Sequence, residues 1–232
     1  MAVRSVYLPN PLLQNDQIRI TDDEHRHLTV ARAEPNEVIE IFDGKGAVWT
    51  AVVESIGKRE TIARVTQLRR VPDDRPHLIL GLALIRVQAF EWALEKVVEV
   101  GVTRIAPFTA DRSNVAAGNK HERWLRIVIE AAKQSKQYTL PELDPTARFD
   151  QILSIPAASK ILFAEREGSP LKSALAGPPV LCLIGPEGGW TDRELSAARD
   201  KGFQAVSLGA SILKAETAAV VGASLIQYEL GK

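Results

Sequence analysis

The stretch LCLIGPEGGWTDREL, Leu181–Leu195, runs an apolar strand through a glycine turn and directly into a helix start. Val180–Ile184 is short, apolar and bounded by Pro179 and Gly185, which predicts a buried strand. Gly185, Gly188 and Gly189 let backbone come close to a ligand or take φ > 0. Thr191 followed by Glu194 spells a capping box, and Trp190 with Leu195 stands at the spacing of a hydrophobic staple, so the helix start is specified by local chemistry. Strand, glycine loop and helix N-terminus are the parts of many phosphate sites. Here, however, no G-x-G-x-x-G occurs and no Lys-Ser or Lys-Thr closes the loop. Glu187 would set a carboxylate where a phosphate belongs, so the loop suits a neutral or cationic ligand. A plain tight turn is the alternative reading.

A second strand, glycine turn and helix start follows at once, in AVSLG and LGASILKAETA, Leu208–Ala218. From about His77 onward strands alternate with helices, which predicts an α/β domain with a mostly parallel sheet and a ligand crevice at the carboxyl ends of its strands. Successive elements lie side by side in such sheets, so both loops are expected to line one crevice. They bring many backbone polar groups, suited to a flat heterocycle such as adenine, and two carboxylates, Glu187 and Glu216, suited to a cation. Within this domain FEWALEKVVEVG reads as a helix with Trp92, Val97 and Val100 towards one side, closed by Gly101. Residues 5–70 are predominantly β. Five short runs, a DGKG hairpin signal and one helix at TDDEHRHLTV, where Thr21 and Glu24 spell another capping box, predict a small barrel. VPDDRP, Val71–Pro76, has the composition of a linker, which divides the chain into domains at 1–72 and 73–232.

Charged residues are 25% and hydrophobic ones 45% of the 232, the balance of an ordinary soluble globular protein. The longest apolar run, LILGLALI at Leu78–Ile85, is too short to span a bilayer, and the N-terminus lacks the apolar core of a signal peptide. No membrane partner is expected. The single cysteine, Cys182, excludes an intrachain disulfide and points to a cytoplasmic location. Net charge is zero, so no global field advertises a nucleic acid. Local basic clusters nevertheless stand at Lys58, Arg59, Arg64, Arg69 and Arg70, and at Arg123, Arg126, Lys133 and Lys136. His25 and His27 with Asp22, Asp23 and Glu24 lack a Cys partner and read as a surface helix, so no metal is expected.

The pair LIGPEGGWTDREL and LGASILKAETAA resembles the signature of the RsmE family, the bacterial 16S rRNA (uracil-N3)-methyltransferases of the SPOUT superfamily. RSVYLP, HLTVAR, FDGKG, LEKVVEVGVTRIAPF, DRSNV and RWLRIVIEAAKQS match the family in order and spacing, so the resemblance covers nearly the whole chain. It implies a PUA-like β-barrel for RNA, followed by a SPOUT domain whose end passes through a trefoil knot. It further implies an S-adenosyl-L-methionine site, a homodimer, and 16S rRNA of the small ribosomal subunit as substrate. Carried over by position, Leu183, Ile184, Gly185, Pro186, Glu187 and Gly188 form one wall of the cofactor pocket, and Leu208, Gly209, Ile212, Leu213 and Thr217 the other. Lys214 and Glu216 are the catalytic candidates beside the uracil, with Glu216 as a helix-capping charge the alternative. Arg4, Arg32, Arg112, Gln134 and Ser135 are the RNA-side positions, of which Arg32 and Arg112 could equally form domain-bridging salt bridges. The chain departs from the family at Ser211 and Lys214, where arginines are usual, and at Ala89, where a lysine is common. Another RNA as substrate, or RNA binding without catalysis, are the competing readings.

Overall fold

A computed structural model describes residues 3–113, 118, 120–164 and 168–231. Asn114 and Val115 of the DRSNV motif lie outside the described residues. The chain divides into two compact units, Met1–Asp74 with Ala132–Leu140, and Arg75–Ala131 with Pro141–Lys232.

The first unit is built on β1 (Arg4–Tyr7), β2 (Leu13–Gln14), β3 (Gln17–Thr21), α1 (Asp22–Val30), β4 (Val38–Phe42), β5 (Ala47–Ile56) and β6 (Glu60–Arg70). These strands form one sheet in the order β1-β4-β5-β6-β3-β2, antiparallel except for β1 against β4. Alternation puts Val6, Ile18, Ile20, Ile39, Ile41, Ala51, Val53 and Ala63 on one face, and Leu28 of α1 packs with them into a single core. The DGKG turn closes as expected. The Asp43 carboxylate accepts from Lys45 N and Ala47 N, and Gly44 and Gly46 take φ of 75° and 90°. The capping box expected at the start of α1 does not form. Thr21 Oγ1 donates to Asp22 Oδ2 at 2.8 Å, and Glu24 is drawn away to Lys133 Nζ at 3.0 Å. Lys133 belongs to the returning segment Ala132–Leu140, which Glu40 also holds by accepting from Lys136 Nζ, Tyr138 OH and Arg69. Two basic residues of each cluster read from the sequence are thus ion-paired within this unit: Arg64 with Glu54 and Arg69 with Glu40, and Lys133 with Glu24 and Lys136 with Glu40.

The second unit contains β7 (Leu78–Ala83), α2 (Val87–Val100), β8 (Arg104–Thr109), α3 (His121–Ser135, as far as Ala131), β9 (Glu142–Leu143), β10 (Ala147–Arg148) and α4 (Phe149–Ile152). It continues with β11 (Ser159–Phe163), α5 (Leu171–Ala174), β12 (Val180–Ile184), α6 (Asp192–Asp200), β13 (Gln204–Val206) and α7 (Ala215–Leu230). The sheet order is β10-β8-β7-β12-β11-β13, with β9 also on β8, and every pairing is parallel. β7 and β12 lie centrally and are buried at every position, as strands covered on both faces must be. Cys182 is enclosed in β12, where burial pushes its thiol up to about 12 and leaves it inert. Gly101, with φ of 98°, ends α2 in the left-handed conformation. The buried face of α2 is Phe90, Ala93, Leu94, Val97 and Val98, whereas Trp92, read on one side with Val97 and Val100, is 45% exposed. No helix among the described residues is long and apolar enough to cross a membrane.

Candidate functional site

Parallel strands align their carboxyl ends, so the loops leaving β7, β8, β11, β12 and β13 emerge on the same edge of the sheet. After β12, Gly189 takes φ of 70° and donates its N–H to Pro186 O at 2.9 Å, which closes the turn. Gly185 and Gly188 have a different reason to be glycine. A Cβ on Gly185 would lie 2.8 Å from the Trp190 ring, and one on Gly188 would lie 3.1 Å from Arg112 Cβ. Trp190 is fixed in turn by donation from Nε1 to Phe163 O at 2.8 Å and by stacking on Phe108. The capping box at α6 forms, with Thr191 N donating to Glu194 Oε2 at 2.9 Å and Glu194 N to Thr191 Oγ1 at 3.3 Å. Trp190 and Leu195 both pack on the core beneath, as the staple spacing requires.

The loop after β13 turns at Gly209, φ 124°, where Ser207 Oγ donates to Gly209 O and accepts from Gly209 N. It ends at Lys214, the N-cap of α7, which makes no side-chain cap bond. The two loops meet around a cavity of about 790 Å³. Of the expected cofactor positions, Ile184, Gly185, Pro186, Glu187, Gly188, Leu208, Gly209, Ile212 and Leu213 line it, as do both catalytic candidates, Lys214 and Glu216. Leu183 is wholly buried in β12, and Thr217 falls between Glu216 and Ala218, which do line the cavity; neither Leu183 nor Thr217 lines it.

Residues the sequence reading did not select also line the cavity, among them Arg86, Phe163, Arg199, Ala205 and Ser207. Arg86 changes the electrostatics most. Its Nε donates to Glu187 Oε1 at 2.7 Å, so the loop carboxylate is not the lone charge that the sequence suggested. The hydrogen bond to Glu187 and the field of Glu216 hold the Arg86 guanidinium above its ordinary pKa. Arg86 directly follows the apolar extension of β7 and precedes α2, a position that the strand-end rule would have flagged. Arg112 also lines the cavity, and its Nη1 donates to Gly188 O at 2.9 Å and Trp190 O at 3.3 Å. The other RNA-side candidates belong to the first unit. There Arg4 pairs with Glu37, Arg32 is exposed at φ of 54° just past α1, and Gln134 and Ser135 lie in the last turn of α3. Neither Arg32 nor Arg112 forms an ion pair among the described residues.

A parallel sheet with two glycine loops converging on one cavity is the arrangement of an RNA methyltransferase domain, whose family model matches residues 73–227, while an RNA methyltransferase PUA domain matches residues 20–66. The ribosomal RNA small subunit methyltransferase E of Synechocystis is 33% identical, over 97% of this chain and 77% of that protein. The enzyme of the same name from Rickettsia conorii is 29% identical, over 98% and 96%. The crystal structure of ribosomal RNA small subunit methyltransferase E from Neisseria gonorrhoeae, bound to S-adenosylmethionine, is 32% identical, with a TM-score of 0.90 over 98% of each chain. The chain belongs to the RsmE family, the small-subunit ribosomal RNA methyltransferases E.

Proposed function

We propose that this protein transfers a methyl group from S-adenosyl-L-methionine to N3 of a uridine in the 16S rRNA of the small ribosomal subunit. The observation that carries the reading is the convergence of both glycine loops on one cavity, in a chain that matches this family along its length. The cavity fits the cofactor chemically. Gly185, Gly188, Gly189 and Gly209 leave backbone without side chains along both loops, able to offer N–H and C=O groups to adenine, while Glu216 suits a cation and Glu187 is paired with Arg86. When bound, S-adenosylmethionine supplies an electrophilic methyl on a sulfonium. The chain must hold that methyl in line with N3, and orientation alone contributes on the order of 7–11 kcal/mol in favourable cases. N3 also carries a proton that must leave. Glu216 offers the acceptor, and the Lys214 ammonium faces the negative charge that develops on the uracil.

The first unit, with Arg4, Arg32, Gln134 and Ser135, is proposed to hold the RNA, and the second unit, Arg75–Ala131 with Pro141–Lys232, to carry the catalytic domain with its trefoil knot. A cytoplasmic homodimer completes the reading. The exposed apolar side chains Trp92 and Leu225, on the mutually packed helices α2 and α7, support such a contact. The test is mass spectrometry of nucleosides from 16S rRNA of a strain lacking the gene, before and after its small subunits are treated with purified protein and S-adenosylmethionine. 3-Methyluridine should be absent at first and appear at one site afterwards. Its presence beforehand with no change on treatment would refute the proposal.

A further inference from the structure

The buried carboxylate of Glu194 does more than cap its own helix. The residue is wholly buried, and its two oxygens serve two different loops. Oε2 accepts from Thr191 N at 2.9 Å, immediately after Trp190, whereas Oε1 accepts from Asp111 N at 2.9 Å, in the turn that follows β8. The same turn is held a second time by the Asp111 carboxylate, which accepts from Arg193 and from the Thr191 hydroxyl at 3.0 Å. The next residue along, Arg112, donates to Gly188 O and Trp190 O. Together these bonds tie the β8 turn to the start of α6 and to the β12 loop that forms one wall of the cavity. We infer that Glu194 is a positioning residue for the cofactor loop, acting through Thr191 and Trp190 on one side and through Asp111 and Arg112 on the other. The inference rests on the S-adenosylmethionine reading of the cavity.

Only a carboxylate can satisfy both N–H groups at once. In Glu194→Gln one oxygen becomes an NH₂ that confronts a backbone donor, so one loop must let go although size and shape are kept. The loop is then competent in only a fraction of molecules, and apparent affinity falls by that fraction. Calorimetric titration with S-adenosylhomocysteine should show roughly tenfold weaker binding to Glu194→Gln than to the unaltered protein. At saturating S-adenosylmethionine, kcat should stay within about twofold. Gln151→Ala provides the control, because it removes a cap bond from Arg148 N in the same unit without touching either loop. It should bind as the unaltered protein does. Equal affinities for Glu194→Gln and the unaltered protein, or equal weakening in both variants, would overturn the inference. If Glu194→Gln does not fold, Arg112→Met answers the same question. It keeps the stem against Gly188 but loses the donors, and should weaken S-adenosylhomocysteine binding several-fold; unchanged affinity there would overturn the inference as well. Absence of binding by the unaltered protein would instead refute the cofactor reading.

Discussion

Gly185, Gly188 and Gly189 look interchangeable in the sequence, yet only Gly189 is needed for its backbone angle. Gly185 is needed because the Trp190 ring occupies the space of a side chain, and Gly188 because the Arg112 stem does. Gly185→Ala is therefore expected to push Trp190 off its seat, costing roughly 1–3 kcal/mol as overpacking does. Urea unfolding would register the loss, and the thermal stabilisation given by S-adenosylmethionine should shrink with it. A fully stable, fully stabilised variant would contradict this assignment. The positions of the glycines were readable from the sequence. The reason for Gly188 was not, because Arg112 lies 76 residues from the loop. The position of Arg86 at a strand end was legible, but its pairing with Glu187 was not, because a charge partner 101 residues away leaves no local pattern.

At the scale of elements, two capping boxes with the same spelling had opposite outcomes. Thr191 and Glu194 close on one another because the distant donor that also reaches that carboxylate among the described residues, Asp111 N, is one it can accept at its other oxygen. Thr21 and Glu24 do not, because Lys133 offers Glu24 a charged partner in a largely buried place. A local rule holds only while no stronger distant partner appears. Helix α2 makes the same point about periodicity: Phe90, Ala93, Leu94 and Val97 follow the helical repeat, and Trp92 falls off that stripe despite its hydrophobicity. The C-cap of α2 was read correctly, since Gly101 needs only its own φ of 98° to explain it. Gly101→Ala should destabilise the protein by about 1 kcal/mol, measured by urea titration, because alanine resists that angle. Space is not the obstacle there, the nearest neighbour of an added Cβ being 3.4 Å away.

At the scale of the molecule, each unit has its own core, and the first is closed by a segment that returns to it from far along the chain. Glu40 is the anchor of that return. Burial pushes its carboxyl upward, but hydrogen bonds from Lys136, Tyr138 and Arg69 outweigh burial and leave it below the ordinary 4.5. A carboxyl depressed in the folded state stabilises it above the unfolded pKa, and that contribution fades as pH falls through the folded one. The stability gap between the unaltered protein and Glu40→Gln should accordingly be widest near about pH 7 and narrow below about pH 4.5, as read from urea midpoints. A gap independent of pH would show that Glu40 acts by shape alone. The sequence by itself determined the alternation of strands and helices, the two glycine loops, the α6 cap and the family, because each is written in residues within a few positions of one another. Only the tertiary structure decided that Ala132–Leu140 belongs with the first unit, that Arg86 neutralises Glu187, and that Glu194 joins two loops. Those are contacts between charges and backbone groups far apart in the chain, fixed by the packing of the sheet rather than by any local preference.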